Sequence, residues 1–292
     1  VYVGAPLAGT GVSLDFGMQA VPGVYTVIAT NMTTNCTKQM TGNATIAVNA
    51  LPLVYNVTGG GQYCAGGTGV AVGINNTNTG INYQLYNGTT PVGSLINGTG
   101  RAIDFGMQTA AGTYKVMAIN ATNTCSNMMA DSSMVVVNSL PALQLVTGGG
   151  NFCAGTVGVH VGLTGSATGT NYQLWNGTRT MGSPVTGTTP ISFGSQTLSG
   201  LYTVVATNPV TTCSVVMAGS AAVLQNAAPR IYTVSGGGSY CAGGAGVHIG
   251  VSNSDVGVSY QLYNGSTMVG TAMAGTGSPL NYGLQTDAGN YT

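Results

Sequence analysis

Six cysteines carry the most evident chemistry in the chain: Cys36, Cys64, Cys125, Cys153, Cys213 and Cys241. They fall into two alternating sets. Cys64, Cys153 and Cys241 each follow a triple glycine, and Cys36, Cys125 and Cys213 each lie in a polar turn rich in Thr and Asn. Even spacing of this kind implies a disulfide framework and an oxidising, extracellular setting. A metal site is the competing chemistry. It needs grouped thiolate and imidazole ligands, yet no C-x-x-C occurs and neither His160 nor His248 adjoins a cysteine in sequence. The two histidines sit between apolar neighbours (Val159 and Val161; Val247 and Ile249), so strand alternation turns them outward, toward solvent. No catalytic, cofactor-binding or metal-binding residue is assigned. No Ser-His-Asp set, Cys-His set or carboxylate pair recurs, and the expectation is that the chain is not an enzyme.

Two further motifs invite chemistry and fail on context. Asp104-Phe105-Gly106 and Asp15-Phe16-Gly17 spell a kinase magnesium motif, but the corresponding positions read Ser192-Phe193-Gly194 and Asn281-Tyr282-Gly283. An acid that can be Ser or Asn is not holding a metal, and no other kinase element is present. The triple glycines lack the Gly-Lys-Ser/Thr ending and helix of a phosphate loop, so they read as strand breaks or bulges. With no Glu and only Lys38 and Lys115, a Lys–Asn isopeptide staple is not expected. Asn-x-Ser/Thr sequons are frequent, among them Asn87, Asn176 and Asn264, and leave glycosylation open.

What positions these residues is a repeat. The triple glycines begin at positions 59, 148 and 236; Phe16-Gly17, Phe105-Gly106, Phe193-Gly194 and Tyr282-Gly283 recur at intervals of 88–89. Tyr83-Gln84-Leu85-Tyr86-Asn87-Gly88 returns at Tyr172–Gly177 and Tyr260–Gly265 with the same period. That length suits one small β-sandwich. The expected organisation is the C-terminal part of a truncated repeat over 1–50, complete repeats over 51–139 and 140–227, and the N-terminal part of another over 228–292. A chain opening and closing inside units reads as a piece of a longer tandem array.

In the second unit the pattern predicts strands at Leu53–Val57, Val70–Ile74, Ile81–Tyr86, Val92–Ile96, Ala102–Met107, Thr113–Ile119 and Ser126–Val137, the last bent near Asp131. Asn87-Gly88 is a tight-turn signal. Seven short strands, and no segment with helical periodicity, predict an all-β fold of tandem immunoglobulin-like sandwiches in an elongated array. A tyrosine corner is expected at Tyr25, Tyr114, Tyr202 and Tyr291. It places valine (Val27, Val116, Val204) where antibody domains carry a core cysteine, so the inter-sheet disulfide of those domains is absent. Two cysteine pairings stay open. One joins cysteines within a unit, Cys64–Cys125 and Cys153–Cys213. The other joins adjacent units, Cys64–Cys213.

Composition narrows the function. Only 3% of the 292 residues are charged, with 5 Lys plus Arg against 5 Asp plus Glu, 43% are hydrophobic, and there are 48 Gly and 15 Tyr. No basic stripe exists to neutralise phosphates, so no nucleic-acid partner is expected. No apolar run approaches a membrane span. Tyr86, Trp175 and Tyr263 share one repeat position, where they either stack on glycan or pack within and between units. The expected partners are neighbouring repeats of the same chain, and beyond them other filaments or a surface polysaccharide.

The residues G-G-G-x-Y-C-A-G-G, N-Y-Q-L-Y-N-G, F-G-x-Q-T-x-x-G-x-Y and the T-x-C turn resemble the tandem repeats of giant cell-surface adhesins of the gliding-motility type in Bacteroidota. The resemblance covers essentially the whole chain. It implies export by the type IX route and display as an outer-membrane-anchored filament, with the repeats as its stalk. Glycan-binding modules, and a pilus-like or sheath filament of separate subunits, are the rival readings.

Overall fold

The computed structural model describes residues 1–187 and 190–292. They form two compact units, Val1–Ser139 and Leu140–Thr292. Among the described residues every regular element is a strand.

The first unit opens with β1 (Gly23–Tyr25), β2 (Ile28–Thr30), β3 (Thr37–Gln39) and β4 (Ala44–Ile46), in which β1 pairs with β4 and β2 with β3, both antiparallel. A complete sandwich follows. Its first sheet joins β5 (Val57–Gly59), β7 (Val70–Ile74) and β10 (Ile103–Gln108). Its second runs in the order β6 (Gly61–Cys64), β13 (Ser133–Asn138), β11 (Gly112–Asn120), β8 (Ile81–Asn87) and β9 (Thr90–Asn97), and β12 (Ser126–Met128) adds to β11. Three strands facing a larger sheet, with antiparallel neighbours throughout except the parallel pair β6–β13, is an immunoglobulin-like arrangement.

Strand alternation supplies the core. Val72 and Ile74 point in from one sheet; Tyr83, Leu85, Tyr114, Val116 and Ala118 point in from the other, none more than 1% exposed. Each buried Val, Leu or Ile among them stabilises the fold by about 1.5–3 kcal/mol. Val116, at the position where antibody domains carry a core cysteine, is buried in this same cluster with Val72.

The triple glycine lets one stretch of chain serve both sheets. Gly59 ends β5, Gly61 opens β6, and Gly60 between them has φ +77°. A Cβ on Gly59 would stand 2.2 Å from the Ala71 carbonyl oxygen, and one on Gly60 2.1 Å from Ser133 Oγ. Only glycine lets the backbones approach this closely.

Three strand boundaries differ from the sequence expectation. The first strand begins at Val57, not Leu53, because Leu53 and Val54 are exposed and the backbone of Tyr55 and Val57 is already bonded to Ala130. A strand over Gly61–Cys64 was not anticipated. The long seventh strand is two, β12 and β13, divided at Asp131, whose φ of +61° takes it out of extended backbone.

The second unit repeats the design. Its complete sandwich comprises β14 (Val146–Gly148), β15 (Gly150–Cys153), β16 (Val159–Leu163), β17 (Asn171–Asn176), β18 (Arg179–Thr186), β19 (Ser192–Gln196), β20 (Gly200–Thr207), β21 (Ser214–Val216) and β22 (Ala221–Asn226). One sheet orders β14, β16, β19 and the other β15, β22, β20, β17, β18. Val161, Tyr172, Leu174, Tyr202, Val204 and Ala206 replace their counterparts in the core. Beyond it lie β23 (Val234–Gly236), β24 (Val247–Val251), β25 (Ser259–Asn264), β26 (Thr267–Ala274) and β27 (Leu280–Gln285), where β24 joins β23 and β27 and β25 pairs with β26.

Candidate functional surfaces

The corner tyrosines make the same bond in all four repeats. Each hydroxyl donates to the carbonyl four residues upstream: Tyr25 to Val21 at 2.7 Å, Tyr114 to Ala110 at 2.9 Å, Tyr202 to Leu198 at 2.7 Å and Tyr291 to Asp287 at 2.8 Å. A second bolt holds the same loop. Asn87, Asn176 and Asn264 donate from Nδ2 to Ala111, Ser199 and Ala288. These three sequon asparagines are therefore structural members of the corner. Burial raises the phenol pKa of Tyr114 above its ordinary value, and does the same at Tyr83 and Tyr282. Phenols kept protonated by the fold contribute stability that is complete below about pH 10 and lost as pH rises through their folded values. The denaturation midpoint of the chain is accordingly expected to fall above about pH 10, as followed by fluorescence across an alkaline series.

The motif that mimics a kinase is a bulged turn. Asp15, Asp104, Ser192 and Asn281 each accept the backbone N–H two residues on, at 2.8, 2.8, 3.1 and 2.9 Å. Any short side chain with an acceptor oxygen suffices, which explains the exchange of acid for Ser and Asn. Gln108, Gln196 and Gln285, three residues after the aromatic, close the bulge by donating to the carbonyls of Phe105, Phe193 and Tyr282.

Tyr86 and Trp175 lie on the outer face of the larger sheet and Tyr263 on the outer face of the β25–β26 pair, since their neighbours Leu85, Leu174 and Leu262 are buried. Tyr86 stands beside Lys115 and Pro91 in register, Trp175 beside Thr203 and Thr180, Tyr263 beside Met268. Tyr86 and Trp175 are half-buried, and Tyr263 is 36% exposed. The indole Nε1 of Trp175 is covered and makes no hydrogen bond among the described residues.

The glutamine beside them is a residue that sequence reasoning missed. Gln84 is 8% exposed and donates to the carbonyls of Leu85 and Val92, both at 3.0 Å, across the register shift between β8 and β9. Gln173 and Gln261 do the same. Gln84→Ala leaves buried carbonyls unpaired and is expected to cost its repeat about 1–3 kcal/mol, read as a lowered urea midpoint.

The cysteines occupy opposite ends of one sheet edge. Cys64 pairs with Asn138 at the end of β13, and Cys125 stands just before β12 at the other end of the same edge. The six residues of β13 alone span about 20 Å, against a limit of about 7 Å between disulfide Cα atoms. Cys153 and Cys213 are separated likewise by β21 and β22. Cys64 and Cys213 are each oxidised, as disulfide sulfurs. Cys36, Cys125, Cys153 and Cys241 are free thiols, so the within-unit pairs Cys64–Cys125 and Cys153–Cys213 are not formed. The turn that carries the second cysteine set is itself built. Asn120 Oδ1 accepts from Thr122 and Asn123, Asn208 Oδ1 from Val210 and Thr211, and Asn31 Oδ1 from Thr33 and Thr34.

His160 and His248 are exposed; His160 Nε2 meets Ser192 Oγ at 2.6 Å and His248 Nδ1 meets Asn281 Oδ1 at 3.2 Å. Among the described residues no group of three His, Cys, Asp or Glu converges, and no helix is long and apolar enough to cross a membrane.

No protein-family model matches the chain, and no curated protein matches it. Solved structures resemble it at low identity. Immunoglobulin domains 1–5 of Sidekick-1 align over 92% of this chain and 62% of theirs, with 13% identity and a TM-score of 0.33. Fibronectin(III)-like modules of Clostridium thermocellum CbhA cover 58% of this chain and 95% of theirs, with 15% identity and a TM-score of 0.31. The chicken CNTN1 FN1–FN3 domains cover 83% and 92%, with 10% identity and a TM-score of 0.26.

Proposed function

We propose that the chain is a stretch of the stalk of a large repetitive surface filament or adhesin, outside the cell, serving attachment or gliding motility of the Bacteroidota type. The observation that supports this is the near-identity of the two complete sandwiches. They share strand order, core tyrosines, corner bonds, bulge glutamines and turn asparagines at a period of 88–89 residues. What is kept from repeat to repeat is the machinery of folding. The exposed positions drift: Ala71 against His160, Asp104 against Ser192. Selection for a fixed bead with a variable surface suits a spacer, whose value is length and stiffness. A disulfide fits the oxidising compartment such a filament would occupy.

The test is display length. Filaments on cells bearing alleles with repeats deleted are measured by electron microscopy, and length is expected to fall in proportion to the repeats removed. The rival glycan reading makes the opposite demand on one residue. Trp175→Ala should leave the stalk intact; if it abolishes binding of the chain on a glycan array, the aromatic face is the working part and the stalk reading fails.

A further inference from the structure

We infer that the outer face of the larger sheet is a self-association surface, on which one copy of the chain packs against the same face of a second copy. The inference does not rest on the stalk reading. Strand alternation puts Val116 and Ala118 of β11 in the core, so Lys115, Met117 and Ile119 lie on the other side. Met128 of β12 stands in register beside Met117, and Met134 of β13 beside Thr113, with Val136 two residues further along the same face. Met128, Met134 and Val136 are 43%, 62% and 38% exposed. In the other complete repeat the same face carries Val205, Val216 and Leu224 where the first carries Met117, Met128 and Val136, and Leu201 replaces Thr113. Leu201, Val216 and Leu224 are exposed. The residues change between repeats and the apolar character does not, unlike the drift at Ala71 and Asp104. A contiguous exposed apolar patch marks an interaction site.

Three features commit the occupant to a second copy. The first is charge. Lys115 is the one charged side chain on this face in its repeat, its counterpart is Thr203, and the second face carries none among the described residues. The whole chain is neutral. Identical faces therefore meet without repulsion, whereas a charged partner would lose hydration with no ion to pair. Groups to orient a sugar are equally scarce: Gln84 and Gln173 are spent on carbonyls of their own sheet, and Trp175 Nε1 is covered. The second is the guarding of the sheet edges. β9 and β18 each carry a proline (Pro91, Pro184) and a register shift, and β6 and β15, at the opposite edges, are only four residues long. Such devices oppose edge-to-edge pairing and leave contact to the face. The third is area. Five strands about 4.8 Å apart and about 20 Å long make a face of about 500 Å², so two faces bury about 1,000 Å². That falls short of the roughly 1,600 Å² of a stable complex and suits a weak, reversible one.

Sedimentation velocity on the full chain, with Cys36, Cys125, Cys153 and Cys241 alkylated so that no thiol joins copies, tests the inference. The weight-average mass is expected to rise with concentration, and to rise further in sodium sulfate, as apolar contacts do. Lysines on the face (Met128→Lys, Val136→Lys, Val216→Lys and Leu224→Lys together) should abolish the rise. Lysines in turns away from it (Val12→Lys, Val157→Lys, Val210→Lys and Val256→Lys together) add the same charge and should leave it unchanged. Peroxide footprinting of the unsubstituted chain gives a second readout. Oxidation of Met128 and Met134 should slow by about twofold or more as association nears completion, while the exposed Met18 and Met32 keep their rates. A constant mass at every concentration, equal loss in the two lysine sets, or unslowed Met128 and Met134 in an associating sample would each overturn the inference. So would a chain that stays at one mass and instead binds a glycan array or neutral phosphatidylcholine vesicles through these positions.

Discussion

Gly148→Ala is expected to destabilise its repeat by about 2–6 kcal/mol, at the upper end comparable to the whole stability of a small domain. Two costs combine. The new Cβ would lie 2.0 Å from the His160 carbonyl oxygen and 3.1 Å from Val161 Cα, both backbone and unable to swing away. A φ of +89° adds strain of about 1–3 kcal/mol, and forcing the strands apart a further 1–3 kcal/mol or more. Gly177→Ala separates the two. Gly177 has φ +59° with nothing within 4 Å of its Cβ, so only the backbone penalty applies, about 1–2 kcal/mol. Guanidinium unfolding of both variants checks this; equal midpoints would show that the close approach at Gly148 has no energetic weight.

Tyr202→Ala is expected to cost about 3–5 kcal/mol. Its ring is 0% exposed and touches both sheets' core residues, and truncation leaves a cavity between rigid strands. Tyr202→Phe keeps the ring and removes only the corner bond to Leu198. Leu198 is 45% exposed, so water can replace the hydroxyl, and the loss stays near 1 kcal/mol. Comparable losses in the two variants would shift the weight from core to corner.

Much of this fold is legible in the sequence, because repetition turns each motif into its own control. The F-G-x-Q set could be dismissed as a metal site when Ser192 and Asn281 stood where Asp104 does. The tyrosine corner is local, four residues across, and so was visible. What stayed hidden depends on partners brought together by folding. Gln84 reads as an ordinary polar strand residue until β9 bulges against it. Asn87 reads as a turn former until its side chain reaches Ala111. The triple glycine reads as a break, but that it carries one strand from sheet to sheet follows only from the carbonyl of Ala71 and the hydroxyl of Ser133 lying beneath it. Leu53 and Val54 misled because an apolar pair before a glycine cluster looks like a strand wherever it lies, and here it is exposed.

The central claim is that the chain is a series of independent sandwiches whose work is mechanical. Pulling a single reduced molecule end to end tests it most directly. The two complete repeats should give two separate rupture peaks, each releasing about 28 nm, the stretched length of 88–89 residues less the folded span. One event that releases the whole chain, or a featureless extension, would contradict it.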